Sequence, residues 1–151
     1  MSEYPVLEFD WKALPHIADN IWQAQMAGWE RVLTYRGPLP NPESRGIRGQ
    51  TMAYDVGNQG YTIPKFAELN ARDEYPFACT VEGAATDGRR KPWVGHVPPY
   101  ENFVQGGMIA AFIKKHGITA IGPNRKFEVR VVNHPRGPVI PCQGRVLLLQ
   151  T

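Results

Sequence analysis

The sequence predicts a small α+β domain with an antiparallel sheet, an N-terminal helix and a strand–loop–strand–helix core. Three observations predict it. Two segments, residues 15–28 and 101–116, carry helical periodicity. Five short runs read as strands, at 32–35, 77–81, 93–97, 127–133 and 144–149. Finally, 15 glycines and 14 prolines among 151 residues demand many turns between short elements. That length suits one domain over residues 1–151, able to bury a core without covalent staples. Residues 1–70 read as a helix with a loop-rich leader, and residues 71–151 as the core of the domain.

In the first helix Ile17, Ile21, Ala24 and Gly28 fall on one stripe, and Gly28 is placed to stop it. Residues 32–35 follow as a short extended run. The segment 37–50, with three prolines and three glycines, excludes regular structure, and the polar segment 55–62 continues the loop. Pro64 then opens a short helix through Leu69. Phe77–Val81 and Trp93–Val97 are the next strand candidates, joined by a connector that carries Asp87-Gly88 and the basic run Arg89-Arg90-Lys91. Pro98-Pro99 ends the second strand. The helix after it has an apolar face of Met108, Ile109, Phe112 and Ile113, lysines 114 and 115 in its last turn, and Gly117 as its cap. Two strands separated by the turn His134-Pro135-Arg136-Gly137-Pro138 close the chain.

No apolar run approaches the length of a membrane span, and the start lacks both the basic and the apolar regions of a signal peptide. Two cysteines, Cys79 and Cys142, are too few for a disulfide framework and lack zinc-ligand spacing. Cys79 reads as a small buried strand residue, and a Cys79–Cys142 bridge stays open. The formal charge of +3 is unevenly spread: residues 1–85 hold seven Lys/Arg against eleven Asp/Glu, and residues 86–151 hold ten against three. A basic half suits a polyanion, because neutralised phosphates release counterions. A merely solvated basic surface would look the same.

Two segments concentrate acids, amides and turn residues at element ends. One is Arg72-Asp73-Glu74-Tyr75-Pro76-Phe77, and the other runs from Pro98 to Gly107. Phosphodiester hydrolysis needs a base for water, a divalent cation to absorb charge, and side chains that hold the strand. Mg²⁺ prefers oxygen and keeps several waters, so one or two protein oxygens suffice. Asn102 and Glu101 offer such oxygens, and Asp73 and Glu74 offer a base or further ligands. Arg72, Arg89, Arg90 and Lys91 offer phosphate contacts. Each also has a plain structural reading: Glu101 opposing its helix dipole, Asn102 as a cap, the acid pair solvated, the basic run an exposed loop.

Asp73-Glu74-Tyr75-Pro76-Phe77-Ala78, Glu82-Gly83, Val97-Pro98, Glu101-Asn102 and Gln105-Gly106-Gly107 follow one another in order. That combination resembles the bacterial NucA/NucB deoxyribonuclease family, in which an Asp-Glu-aromatic-Pro segment, a Glu-Gly-Gly-like turn, a Val-Pro strand end and an acid-Asn helix start recur. The strong part covers residues 72–116. Phe127-Glu128-Val129 fits the family's closing strand, and residues 17–37 are similar, more loosely, to the leader of secreted bacterial toxins of this kind. Ala84 departs from the second glycine of the turn.

The resemblance implies a ββα-metal-type core and a DNA endonuclease of low sequence specificity that uses Mg²⁺ or Mn²⁺. Carried onto this chain, Asn102 is a metal ligand, assisted by Glu101 or Gln105. No histidine stands in the first segment, so a carboxylate is the base, Glu74 before Asp73. His96 is a reserve base or else a partly exposed strand histidine. An antibacterial toxin with a cognate immunity protein fits the missing signal peptide, through a specialised secretion system or as part of a larger exported toxin. Two other functions compete: a non-catalytic nucleic-acid-binding module, with Trp93, Tyr100 or Phe103 stacking on bases, and an inactive interaction domain that keeps the fold.

Overall fold

A computed structural model describes residues 2–37, 71–83 and 93–136 of the chain. In chain order the elements are β1 (Val6–Asp10), α1 (Pro15–Met26), β2 (Val32–Thr34), β3 (Ala71–Tyr75), β4 (Trp93–Val97), α2 (Pro99–Lys115) and β5 (Lys126–Val132). The class is α+β, as the sequence predicts. The described strands form two sheets, one of them mixed rather than purely antiparallel: its order is β1-β5-β2, with β1 parallel and β2 antiparallel to the central β5. The other is the antiparallel pair β3-β4, which leads straight into α2.

Strand β1 is absent from the sequence reading, although Leu7 and Phe9 alternate with exposed Glu8. In β5, Phe127 and Val129 enter the core while Lys126 and Arg130 stay in solvent. These side chains join Ile17, Ile21, Ala24, Leu33, Tyr75 and Val97 in one cluster. Each large apolar residue buried there contributes about 1.5–3 kcal/mol. Helix α1 packs against both sheets and α2, so its remaining faces are also covered.

The stop of α1 follows the sequence reading. Gly28, at φ 102°, donates to Gln25 O, and Trp29 N reaches back to Ala24 O. That paired closure needs a left-handed residue at Gly28. Strand β4 falls on its expected residues, and α2 starts at Pro99, two residues earlier than its expected first turn.

The strand expected over Phe77–Val81 is corrected. The ladder instead uses Ala71–Tyr75 and ends at Pro76, which has no N–H to donate. Beyond it the chain turns, with Thr80 N and Oγ1 both bonded to Phe77 O. Cys79 is half-buried in that turn rather than in a strand. An isolated antiparallel bridge instead links Tyr35 and Thr80, flanked by Arg36 N donating to Cys79 O and Val81 N to Thr34 O. Glu82 fastens this turn to β2 by accepting Thr34 N at 2.8 Å and Thr34 Oγ1 at 2.9 Å. A Cβ on Gly83 would stand 2.0 Å from Phe77 O, so glycine is required there. The Glu82-Gly83 pair thus serves as a clip between two layers. Most of the 37–50 loop, the 55–62 segment, the helix after Pro64, Cys142 and the strand at 144–149 lie outside the described residues.

Candidate active site

Asp73 and Glu74 are separated by the strand that carries them. Successive side chains leave a strand on opposite faces. Asp73 therefore shares a face with Tyr75 and, across the ladder, with Gly95 and Trp93, whereas Glu74 shares the other with Val94 and His96. The first face meets α1. Asn20 Nδ2 donates to Asp73 Oδ2 at 2.9 Å and to its main-chain O at 3.2 Å. Asn20 Oδ1 in turn accepts the Trp93 indole N–H at 3.1 Å, which fixes which way the amide points. Asp73 is buried, so removing Asn20 would take a hydrogen bond from a desolvated carboxylate at a cost of about 1–3 kcal/mol.

Glu101 lies in the first turn of α2, but its carboxylate does not serve its own helix. Oε1 accepts the backbone N–H groups of His16 at 2.9 Å and Ile17 at 3.1 Å, and Oε2 meets His16 Nδ1 at 2.5 Å. The N-cap of α1, Leu14, makes no side-chain cap bond, so these amides would otherwise lack an acceptor in α1. Glu101 supplies that cap from another helix, with its negative charge against the positive end of the α1 dipole. An ionised carboxylate only accepts, which makes His16 Nδ1 the donor.

Helix geometry then joins the two acids. His16 and Asn20 are one turn apart on α1, with Cβ atoms about 5–6 Å apart. Asp73 from β3 and Glu101 from α2 are therefore fastened to successive turns of one face of α1. Glu74, on the opposite face of the β3-β4 pair, does not join them. Asn102 is half-buried on the first turn of α2, and its N–H bonds Pro98 O, so Pro98 and not Asn102 is the N-cap. Gln105, one turn beyond Glu101, is buried, and its Nε2 has no hydrogen-bond partner among the described residues.

The reserve base, His96, is corrected in one respect. It is fully buried rather than partly exposed, in a strand whose last four residues, Val94 to Val97, are all buried. Arg72 stands in register with His96 on β3. Arg89, Arg90 and Lys91 lie outside the described residues. Among the described residues no three of His, Cys, Asp and Glu gather as a metal cage, and no helix is long and apolar enough to cross a membrane.

Sequence reasoning missed His16 and Asn20. The signal was a polar row at 16, 20 and 23 beside the apolar row at 17, 21 and 24, easily read as a solvated face. Next to that row, Asp19 makes a second carboxylate–imidazole pair. Its Oδ1 lies 3.0 Å from His134 Nε2, and its Oδ2 accepts Gln23 Nε2 at 2.7 Å. Arg136 N donates to His134 Nδ1 at 2.9 Å, so Nε2 carries the proton and donates to Asp19. Trp22 stacks on the imidazole with ring centroids 4.1 Å apart, and Trp11 meets it edge-on. Buried Tyr75 donates to Glu30 O at 2.6 Å, and loss of solvent pushes its phenol well above the usual range.

No curated protein matches the chain significantly. A family model described as deoxyribonuclease NucA/NucB matches residues 23–130. That span begins within α1, just past His16 and Asn20, and takes in both acids that meet on its face. It covers well over half of the 151 residues, and the chain belongs to the NucA/NucB deoxyribonuclease family, for which DNA is the substrate.

Proposed function

We propose that this chain is a divalent-metal-dependent endonuclease that cleaves DNA with little sequence preference. One observation carries the reading: two buried acids from different elements, Asp73 and Glu101, are tethered to successive turns of one α1 face. Burying two carboxylates there is costly unless each is hydrogen-bonded, and both are.

The available donors are hard oxygens, which fit Mg²⁺ or Mn²⁺ better than a soft metal. Asp73, Asn102 and Gln105 are the side chains that would hold the cation. The unpartnered atom of Gln105 among the described residues is its donor Nε2, so the fit rests on the oxygens of Asp73 and Asn102, and Gln105 joins them only through Oε1 with its amide turned. When bound, a divalent ion neutralises charge on the phosphate and on the leaving oxygen. The Glu101–His16 pair takes up the proton of the attacking water. The imidazole is its outer member, with 23% side-chain exposure against 7% for the carboxylate. Glu101 orients the ring through Nδ1, and the proton is taken at Nε2. In this reading Asp73, rather than Glu74, is the acid of the first segment that enters the site.

The enzyme acts as an antibacterial effector, exported by a specialised route or within a larger toxin, and a cognate immunity protein restrains it in the producing cell. That setting rests on the chemistry, since a DNase of low specificity damages its own host.

Incubating supercoiled plasmid with the purified protein and Mg²⁺ or Mn²⁺, then with EDTA, tests the proposal. Nicking that EDTA abolishes supports it. Retarded but intact plasmid under every metal would replace it with a non-catalytic nucleic-acid-binding module built on the basic half of the chain.

A further inference from the structure

Among the described residues, nothing packs on the outward face of α2. Phe103, Gly106, Gly107, Ala110 and Lys114 recur at i, i+3, i+4, i+7 and i+11, and all five are exposed. Tyr100 lies one turn before Phe103, and the two rings are 72% and 81% exposed. They flank Glu101 and Asn102 in sequence, so two large apolar side chains sit in solvent at the edge of the candidate site.

The glycines behind Phe103 are the second observation. Glycine in a helix interior destabilises it relative to alanine. Such a residue is kept where a neighbour needs the room, yet a Cβ on Gly106 or Gly107 would meet nothing within 4 Å. Nothing among the described residues requires them. The bare backbone they leave is available to something outside it.

We infer that a single DNA strand lies along this face, with a base stacked on Phe103 or Tyr100 and the sugar–phosphate backbone passing over Gly106 and Gly107 toward Lys114. Phe103 to Lys114 spans about 16 Å at 1.5 Å per residue, enough for two to three extended nucleotides. Every base has a π-face, so stacking holds a strand without reading its sequence. The lysine supplies a phosphate contact at the far end, and the site lies at the near end. This face therefore favours unpaired over duplex DNA. The inference rests on the nuclease reading above and names the form of substrate that the site takes.

The test is equilibrium binding of a fluorescent oligo-dT to the full chain in EDTA, which keeps it separate from turnover. Phe103→Ala and Tyr100→Ala are each expected to weaken binding about ten-fold. An oligonucleotide with abasic residues should bind wild type as weakly as oligo-dT binds Phe103→Ala. Gly107→Ala and Gly107→Gln should raise the melting temperature while lowering DNA affinity, a split that a purely structural glycine does not give. Ile121→Ala, another exposed apolar side chain but outside the strip, should bind as wild type does. If wild type does not bind, or if Phe103→Ala and Gly107→Gln bind as wild type, the inference is overturned. It is also overturned if Phe103→Ala converts a dimer to a monomer without touching DNA binding, since the face is then a contact between copies. Binding that depends on Phe103 in a protein that never cleaves DNA would keep the inference and remove the nuclease reading. Metal-dependent cleavage with no dependence of binding on Phe103 would do the reverse.

Discussion

Two carboxylate–imidazole pairs stand on neighbouring rows of α1, with opposite surroundings. His134 and Asp19 have side-chain exposures of 2% and 0%, and two indoles close over the ring. Both of its nitrogens are committed within the protein, one to Asp19 and one to Arg136 N. His16 and Glu101 use the same chemistry at the open end of the helix, where the ring is partly exposed. The first pair fastens the segment after β5 to α1. The second joins α1 to α2 and is reachable by water. A His–carboxylate contact is thus not in itself a sign of catalysis; access decides what it can do.

Mutations that treat the two pairs alike should bring out this difference. Glu101→Gln should lower the rate of plasmid cleavage about 10²–10⁴-fold, because it removes the charge that orients the proton acceptor. Its weaker capping of α1 should cost about 1–2 kcal/mol in a urea titration. Asp19→Ala should act in the opposite proportion. Breaking a fully buried pair costs about 3–5 kcal/mol of stability, while the molecules still folded keep most of their cleavage. A large loss of cleavage in folded Asp19→Ala would erase the contrast.

His16→Ala removes the proton acceptor itself, so it should lose at least as much rate as Glu101→Gln, about 10²–10⁴-fold, and added imidazole should restore part of it. Imidazole should do nothing for His134→Ala, whose ring site is sealed by Trp22. The smallest effect tests the burial of Tyr75. Its phenol is raised in the folded state by loss of solvent, so its stabilising effect is complete below the ordinary tyrosine value of about 10 and is lost as pH rises above it. Urea midpoints of wild type should therefore fall between about pH 10 and 11. Tyr75→Phe should be flatter there, and about 1 kcal/mol weaker at neutral pH for want of its hydrogen bonds.

Legibility in the sequence followed the range of the forces. α1, β4, α2 and β5 were readable because periodicity and Gly or Pro punctuation act locally. The run at 77–81 misled because Phe, Cys, Thr and Val favour strands; Pro76 and the Thr80 turn overrode that preference. β1 is only five residues long and finds its partner across the chain, in β5. In the site, the acids were visible as residues, but not the geometry that pairs Asp73 with Glu101 and sends Glu74 the other way. His16, Asn20 and Asp19 gave no local signal because what buries them comes from β3, α2 and the segment after β5.

That separation is also the point most open to a direct test. Cleavage of supercoiled plasmid in Mg²⁺ or Mn²⁺ should be measured for wild type, Asp73→Asn and Glu74→Gln, each confirmed folded by its melting curve. The account predicts EDTA-sensitive nicking by wild type and Glu74→Gln, and none by Asp73→Asn. Nicking by Asp73→Asn with an inactive Glu74→Gln would contradict it and move the site to the face that carries His96.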